Sequence, residues 1–112
     1  MNIINLTPHD IKVRTEQGDR VFPATGEVVR VDATLEEIGL IDGIPVSKQT
    51  FGEVVGLPKP TPDTVFIVSA LVISALKAAG IERDDVVAPD TNPGRAFRDE
   101  KGLIEAVPGF VK

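Results

Sequence analysis

The sequence predicts an α+β fold that consists mostly of β-strands, with one principal helix at residues 70–79. Residues 65–80 run without a break from a β-branched stretch, VFIV, into the helix-favouring stretch ALVISALKAA, which ends at Gly80. Elsewhere, short apolar segments that alternate with polar residues are separated by turn residues, which is typical of strands. We expect about six to seven short strands in a small mixed or antiparallel sheet or a partly closed barrel.

The segment from Val65 to Val68 is predicted to be the central strand, because a wholly apolar, β-branched run is typical of a strand covered on both faces. Ser69 follows it, and its hydroxyl can accept a hydrogen bond from a free amide of the first helical turn. The same amides, at the positive end of the helix dipole, can attract an anion. Ser69 is therefore either a helix cap alone or a cap that also lines a binding site.

The first part of the chain is predicted to form strands joined by tight turns. A strand is expected at residues 2–6, with a turn at residues 7–10 that contains Pro8. Alternating apolar and charged residues on both sides of residues 16–19 predict a hairpin with one solvated face. After a turn, a further strand is expected at residues 27–32.

The middle of the chain has two interpretations. Thr34 followed by Glu37 is a capping-box pattern, which favours a short helix at residues 35–40. Asp42-Gly43 between two apolar segments is a strong hairpin signal, which favours two strands. We prefer the hairpin.

Proline and turn residues organise the rest. Three prolines in residues 56–62 predict an extended connector that leads into the central strand. Beyond the helix we expect a strand at residues 86–88, a long loop at 89–95 and a last strand at 102–107.

Composition excludes several classes of function. The 112 residues fit one domain, residues 1–112. A net charge of −5, with no tyrosine or tryptophan, argues against nucleic acid, which binds to basic patches and stacking aromatic residues. The lack of cysteine excludes disulfides, thiolate catalysis and cysteine-ligated zinc.

No signal peptide is visible and the longest apolar run is shorter than the roughly 20 residues that span a bilayer, so we expect a cytoplasmic protein with no membrane partner.

The two arginines that flank the predicted strand at residues 86–88 are the best candidates for holding an anion. Guanidinium groups bind phosphate or carboxylate through paired hydrogen bonds, which makes Arg83 and Arg95 suitable. The alternative is that they form surface ion pairs with neighbouring carboxylates, namely Asp84, Asp85 or Asp90. Those carboxylates lack the EF-hand pattern and further oxygen ligands, so neither a metal site nor a cofactor is expected.

The predicted ligand site also includes polar residues near the first strand. His9 is either solvated or in contact with a ligand. No G-x-S-x-G motif surrounds Ser69, no glycine-rich phosphate loop is present, and no catalytic residue is predicted. Asn5, Thr7 and His9 can join Arg83 and Arg95 in one site only if the first strand lies beside the central strand. The predicted ligand-binding residues are Asn5, Thr7, His9, Ser69, Arg83 and Arg95.

Five short segments of the chain are similar to segments of a known protein family. They are NLTPHD (5–10), PATG (23–26), FGEVVGLP (51–58), IVSA (67–70) and RDDVVAPDT (83–91). As a set they resemble a family of small uncharacterised proteins of phages, prophages and actinobacteria that begin with an NLTPH motif. The resemblance implies a phage or mobile-element accessory protein, located in the host cytoplasm, and it implies no catalytic residues. Small acidic phage proteins commonly bind signals or proteins of the host, which is an analogy of context.

These observations lead us to expect a non-enzymatic protein that binds a small anionic ligand, such as a nucleotide, and sequesters a nucleotide-derived signal of host defence. The alternative is a protein-interaction or structural module whose edge strands pair with a host or virion protein. A small hydrolase or lyase that uses His9 with a carboxylate is a third interpretation. The apolar excess of residues 65–76 also suggests a homo-oligomer.

Overall fold

Ten strands and one helix make up the computed structural model, which describes residues 1–112. In chain order they are β1 (Asn2–Asn5), β2 (Ile11–Thr15), β3 (Gly18–Phe22), β4 (Ala33–Ile41), β5 (Ile44–Phe51), β6 (Thr64–Ile67), α1 (Ala70–Ala78), β7 (Val86–Pro89), β8 (Phe97–Arg98), β9 (Ile104–Ala106) and β10 (Phe110–Val111). The predicted class, α+β and mostly β, is confirmed, although the structure has ten strands where about six to seven were expected. The strands form four separate sheets and none closes into a barrel, so the mixed sheet is the form that occurs.

The largest sheet has the strand order β1-β6-β7-β10. β6 lies between two parallel neighbours, and β10 runs antiparallel to β7. The prediction of a central strand that leads into the helix is therefore confirmed. The predicted adjacency of the first strand is confirmed as well, since Asn5 pairs with Ile67.

Side chains on the two faces of this sheet pack against different layers. Phe66 and Val68 belong to the apolar cluster that contains Val72 of α1. Ile67, which points the opposite way, packs with Phe22 of the β2–β3 hairpin. The sheet is therefore the middle of three layers, with the helix on one side and hairpins on the other.

Local residues set both ends of α1. The hydroxyl of Ser69 accepts a hydrogen bond from the Val72 amide at 3.3 Å, which confirms the predicted N-cap. At the other end Gly80 adopts φ +71°, and the amide of Ile81 donates to the Leu76 carbonyl at 2.9 Å. This is the Schellman arrangement, in which a left-handed glycine satisfies the last carbonyls. The one helix of the structure, α1, is not long and apolar enough to cross a membrane.

The prediction of a strand at residues 27–32 was wrong in its length. Its alternation does bury Val29, but only Arg30 finds a strand partner, in an isolated bridge with Val55. The neighbouring segment bends at Gly56, which has φ +90°, so the pairing cannot continue. The segment lies over the helix side of the sheet without joining it.

The hairpin interpretation of the middle segment is confirmed, and the hairpin stands apart as a two-stranded ribbon. We call residues 33–51 the arm. Its turn residues Asp42 and Gly43 have φ +51° and +77°, the left-handed pair that a type I′ turn requires. No third strand pairs with the arm, and the molecule measures 51 Å along its longest axis.

We call the chain outside the arm the body. Packing of α1 against the four-stranded sheet should contribute most of its stability. We expect Leu76→Ala, at a position only 5% exposed, to lower the free energy of unfolding by about 2–5 kcal/mol in urea denaturation. The matched control is Leu103→Ala, because Leu103 is 63% exposed and its loss should cost no more than about 0.5 kcal/mol. Equal losses from both substitutions would contradict the described core.

Candidate functional site

A groove lies where the carboxyl ends of β1 and β6 meet the start of α1. We call it the edge groove; its volume is about 290 Å³. Its polar lining comes from Thr7, Arg30, Asp32 and Ser69, and the rest of its wall is mainly aliphatic. The fold creates it because β1 and β6 are parallel, so the loops that follow both strands emerge at one edge of the sheet.

The groups in the edge groove that can attract an anion come from the helix start and from one arginine. The hydroxyl of Ser69 is engaged in capping, while the first amides of a helix have no acceptor within it. Arg30 is exposed and takes part in none of the five ion pairs of the structure. The Asp32 carboxylate lies in the same groove and opposes an anion. The groove is therefore mixed in charge, with one guanidinium free to bind a ligand.

Asn5 organises the loop beside the groove. Its side-chain nitrogen donates to the carbonyls of His9 and Phe22, both at 2.8 Å. Its side-chain oxygen accepts from the Thr7 amide at 2.9 Å and lies 2.6 Å from the Thr7 hydroxyl. Asn5 is 1% exposed and all its hydrogen-bonding groups are used, so its role is to hold the loop in shape.

Thr7 and His9 differ in what they offer at this loop. The Thr7 hydroxyl is turned inward, between the Asn5 oxygen and the His9 carbonyl at 3.0 Å, although the residue lines the edge groove. His9 is exposed, and the contacts of this residue are made by its main-chain carbonyl. Its imidazole is therefore open to solvent.

Arg83 is held at the other end of the helix. Its guanidinium donates to both carboxylate oxygens of Asp85, at 2.8 and 2.9 Å, and to the Pro58 carbonyl at 2.9 Å. These contacts fasten the proline connector to the start of β7. Ser69 precedes a nine-residue helix and Arg83 follows it, so about 13 Å of helix separates their ends. The structure therefore does not bring Arg83 and Ser69 into one site.

Arg95 forms an ion pair with Asp90, at the carboxyl end of β7. The Asp90 carboxylate is buried and also accepts from the Asn92 side chain at 2.8 Å. The hydrogen bond from Arg95 and those from Asn92 lower the pKa of the Asp90 carboxyl against the opposing effect of burial. The pair fixes the long loop after β7. Both arginines thus have carboxylate partners, as the ion-pair interpretation of the sequence predicts.

The structure brings together only part of the predicted site. Thr7 and Ser69 line the edge groove, and the Asn5 side chain holds the loop that contains Thr7. Arg30 was missed by the sequence analysis. The alternation of residues 29–32 predicts that Arg30 points away from Val29. Its place in the groove depends on a bridge to Val55, which is distant in sequence.

The arm presents a second candidate surface, which is apolar. Large aliphatic side chains on it are 61–74% exposed; they are Leu35, Ile38, Leu40, Ile41 and Ile44. Cross-strand pairs show that Leu40 shares one face with Pro45, and that Ile41 shares the opposite face with Ile44. Large exposed apolar side chains grouped on one element in this way indicate a site of interaction.

Comparison with protein-family models, with curated proteins and with solved structures found no match.

The Arg83–Asp85 pair makes a pH-dependent prediction. Hydrogen bonds from Arg83 lower the pKa of the Asp85 carboxyl below its ordinary 3.8, so the pair stabilises the fold above that pH and loses its effect as the pH falls through the lowered pKa. We expect Asp85→Asn to cost about 1–3 kcal/mol of unfolding free energy near pH 7, with the difference from the unsubstituted protein narrowing below about pH 3.8.

The control for this measurement is Asp84→Asn. Asp84 is exposed and belongs to no ion pair, so its substitution should change the free energy of unfolding by less than about 0.5 kcal/mol. Urea denaturation across the acid range measures both proteins. A cost for Asp85→Asn that stays constant with pH would contradict the assigned ion pair.

Proposed function

We propose that this protein is a non-enzymatic binding protein whose arm binds another polypeptide chain. The proposal rests on one observation: five large aliphatic side chains are at least 61% exposed on a ribbon with which no third strand pairs. Scattered single apolar residues are normal on protein surfaces, but such a group on one projecting element is not.

The faces of the arm, rather than its edges, are suited to binding. Strand addition needs a regular edge with free amides and carbonyls. Pro45 has no amide hydrogen to donate, and β4 is bulged between Glu37 and Gly39, so both strands interrupt such an edge. Natural sheets use these same devices to avoid pairing with foreign strands. The partner is therefore held mainly by apolar side-chain contacts.

The bulge also concentrates the apolar side chains. Leu35 and Leu40 are five residues apart, an odd spacing that would put them on opposite faces of a regular strand. Their partners, Gln49 and Pro45, are four residues apart in β5 and so share one face. The extra residue in β4, Ile38, thus brings both leucines to the same face.

A photo-crosslinking experiment tests whether the arm binds a polypeptide. A photoreactive amino acid at Ile44 should give adducts of discrete mass after irradiation in the producing cells. The same amino acid at Val21, which is 52% exposed on β3, is the control and should give none. Absence of adducts from Ile44, or the same adducts from Val21, would overturn the proposal.

A small anionic ligand in the edge groove is the second candidate function. The observation that favours it is that the start of α1, with its free amides, and the unpaired Arg30 line one groove of about 290 Å³. Helix-start amides and Arg30 would hold a phosphate, while aliphatic walls exclude water. Sequestration of a nucleotide-derived defence signal fits a phage origin, which the resemblance to the NLTPH proteins implies.

Thermal denaturation with nucleotides tests this second candidate. A ligand present at about 100 times its dissociation constant should stabilise the protein by about 2.7 kcal/mol, and Arg30→Ala should abolish that gain. Lys59→Ala is the matched control, because it removes one positive charge from an exposed position outside the groove and should preserve the gain.

Two outcomes would contradict the ligand-binding candidate. One is that no nucleotide raises the melting temperature. The other is that both substitutions reduce the gain equally, which would indicate that net charge alone attracts the ligand. Recovery of the unchanged nucleotide after heat denaturation would support storage, and recovery of an altered one would support catalysis.

A further inference from the structure

We infer that the polypeptide bound by the arm is a second copy of this chain, and that two copies exchange arms in a symmetric dimer. This inference rests on the proposed function of the arm and names its partner. The partner surface is a groove beside the carboxyl end of α1, with a volume of about 340 Å³.

The area that one arm can bury favours a reciprocal arrangement. The strands of nine and eight residues, at about 3.3 Å per residue, make an arm about 30 Å long, and each face covers about 300 Å². Contact with one face therefore buries about 600 Å² when both partners are counted, which is less than the roughly 1,200–2,000 Å² of stable interfaces. Two exchanged arms make this contact twice and bury about 1,200 Å².

The entropy of association points the same way. A dimer loses translational and rotational freedom once, but an exchange buries the apolar side chains of two arms. A foreign protein that received a single arm would incur the same loss for half of the apolar burial. A second copy is also present at matched concentration whenever the chain is made, so the exposed arm has a constant occupant.

The receiving groove has the chemistry that the arm tip needs. Its apolar lining consists of Ile73, Leu76, Ile81 and Val86. The charged part of its lining is mixed, with Lys77, Arg83 and Lys112 positive and Glu82 and Asp84 negative. The groove is at the far end of α1 from Ser69, so an inserted arm leaves the edge groove open.

Light scattering coupled to size exclusion tests the exchange. At about 100 μM, well above a micromolar dissociation constant, the intact chain should have twice its 12.0 kDa mass. The double substitution Leu40→Ser and Ile44→Ser should weaken dimerisation by about 100-fold or more. The control, Val21→Ser with Leu103→Ser, removes exposed apolar side chains from the body and should leave the dimer intact.

Cysteine crosslinking tests which surface receives the arm. The chain has no cysteine, so two separately made proteins, Ile44→Cys and Ile81→Cys, can be mixed and oxidised. A disulfide between them should form in high yield, whereas Ile44→Cys mixed with Val21→Cys should give little. A disulfide with Val21→Cys but not with Ile81→Cys would overturn the assigned groove.

The outcomes separate this inference from the proposed function. A monomer at about 100 μM whose Ile44 photo-adducts contain a different protein overturns the exchange but leaves the arm as a binding surface. A monomer with no photo-adducts overturns both. A dimer that survives the arm substitutions overturns the exchange, because its interface would then lie elsewhere.

Discussion

Burial of β6 on both faces is the constraint on which the rest of the structure depends. Phe66 and Ile67 of β6, and Val68 directly after it, are each no more than 2% exposed, and successive side chains point to opposite faces. One face must therefore be covered by α1 and the other by hairpins, and the edges of β6 must be paired by neighbouring strands. The edge groove follows from this arrangement, because the parallel strand β1 ends where β6 turns into the helix.

Hydrogen-bonded polar groups, several of them buried, fix the loops around this sheet. Asn5 shapes the loop after β1, Asp90 the loop after β7, and the Arg83–Asp85 pair the approach to β7. Each of these groups is hydrogen-bonded, and no buried side-chain polar atom lacks a partner. The arginines that look most available in the sequence are therefore bound by carboxylates, and Arg30 is the one that remains unpaired in the edge groove.

Local signals predicted the fold well, whereas the candidate site depends on contacts that are distant in sequence. The β6–α1 junction and its Ser69 cap follow from periodicity and capping within a few residues. The turn follows from the Asp42-Gly43 pair, whose residue types favour the positive φ angles observed there. The bridge that places Arg30 joins it to Val55, and no local pattern encodes that partner. Apolar residues occur on both faces of the hairpin. Their pattern therefore does not show whether the hairpin packs against the rest of the chain or projects from it.

That two-faced character restricts what can cover the arm. A hairpin with one apolar face would pack that face against the body of its own chain and leave the polar face in water. Here Leu35 and Leu40 lie on one face while Ile41 and Ile44 lie on the other, so no single surface covers them all. The arm must enter a cleft or lie between two surfaces to bury both sets. A partner that contacts only one face of the arm leaves the aliphatic side chains of the other face exposed.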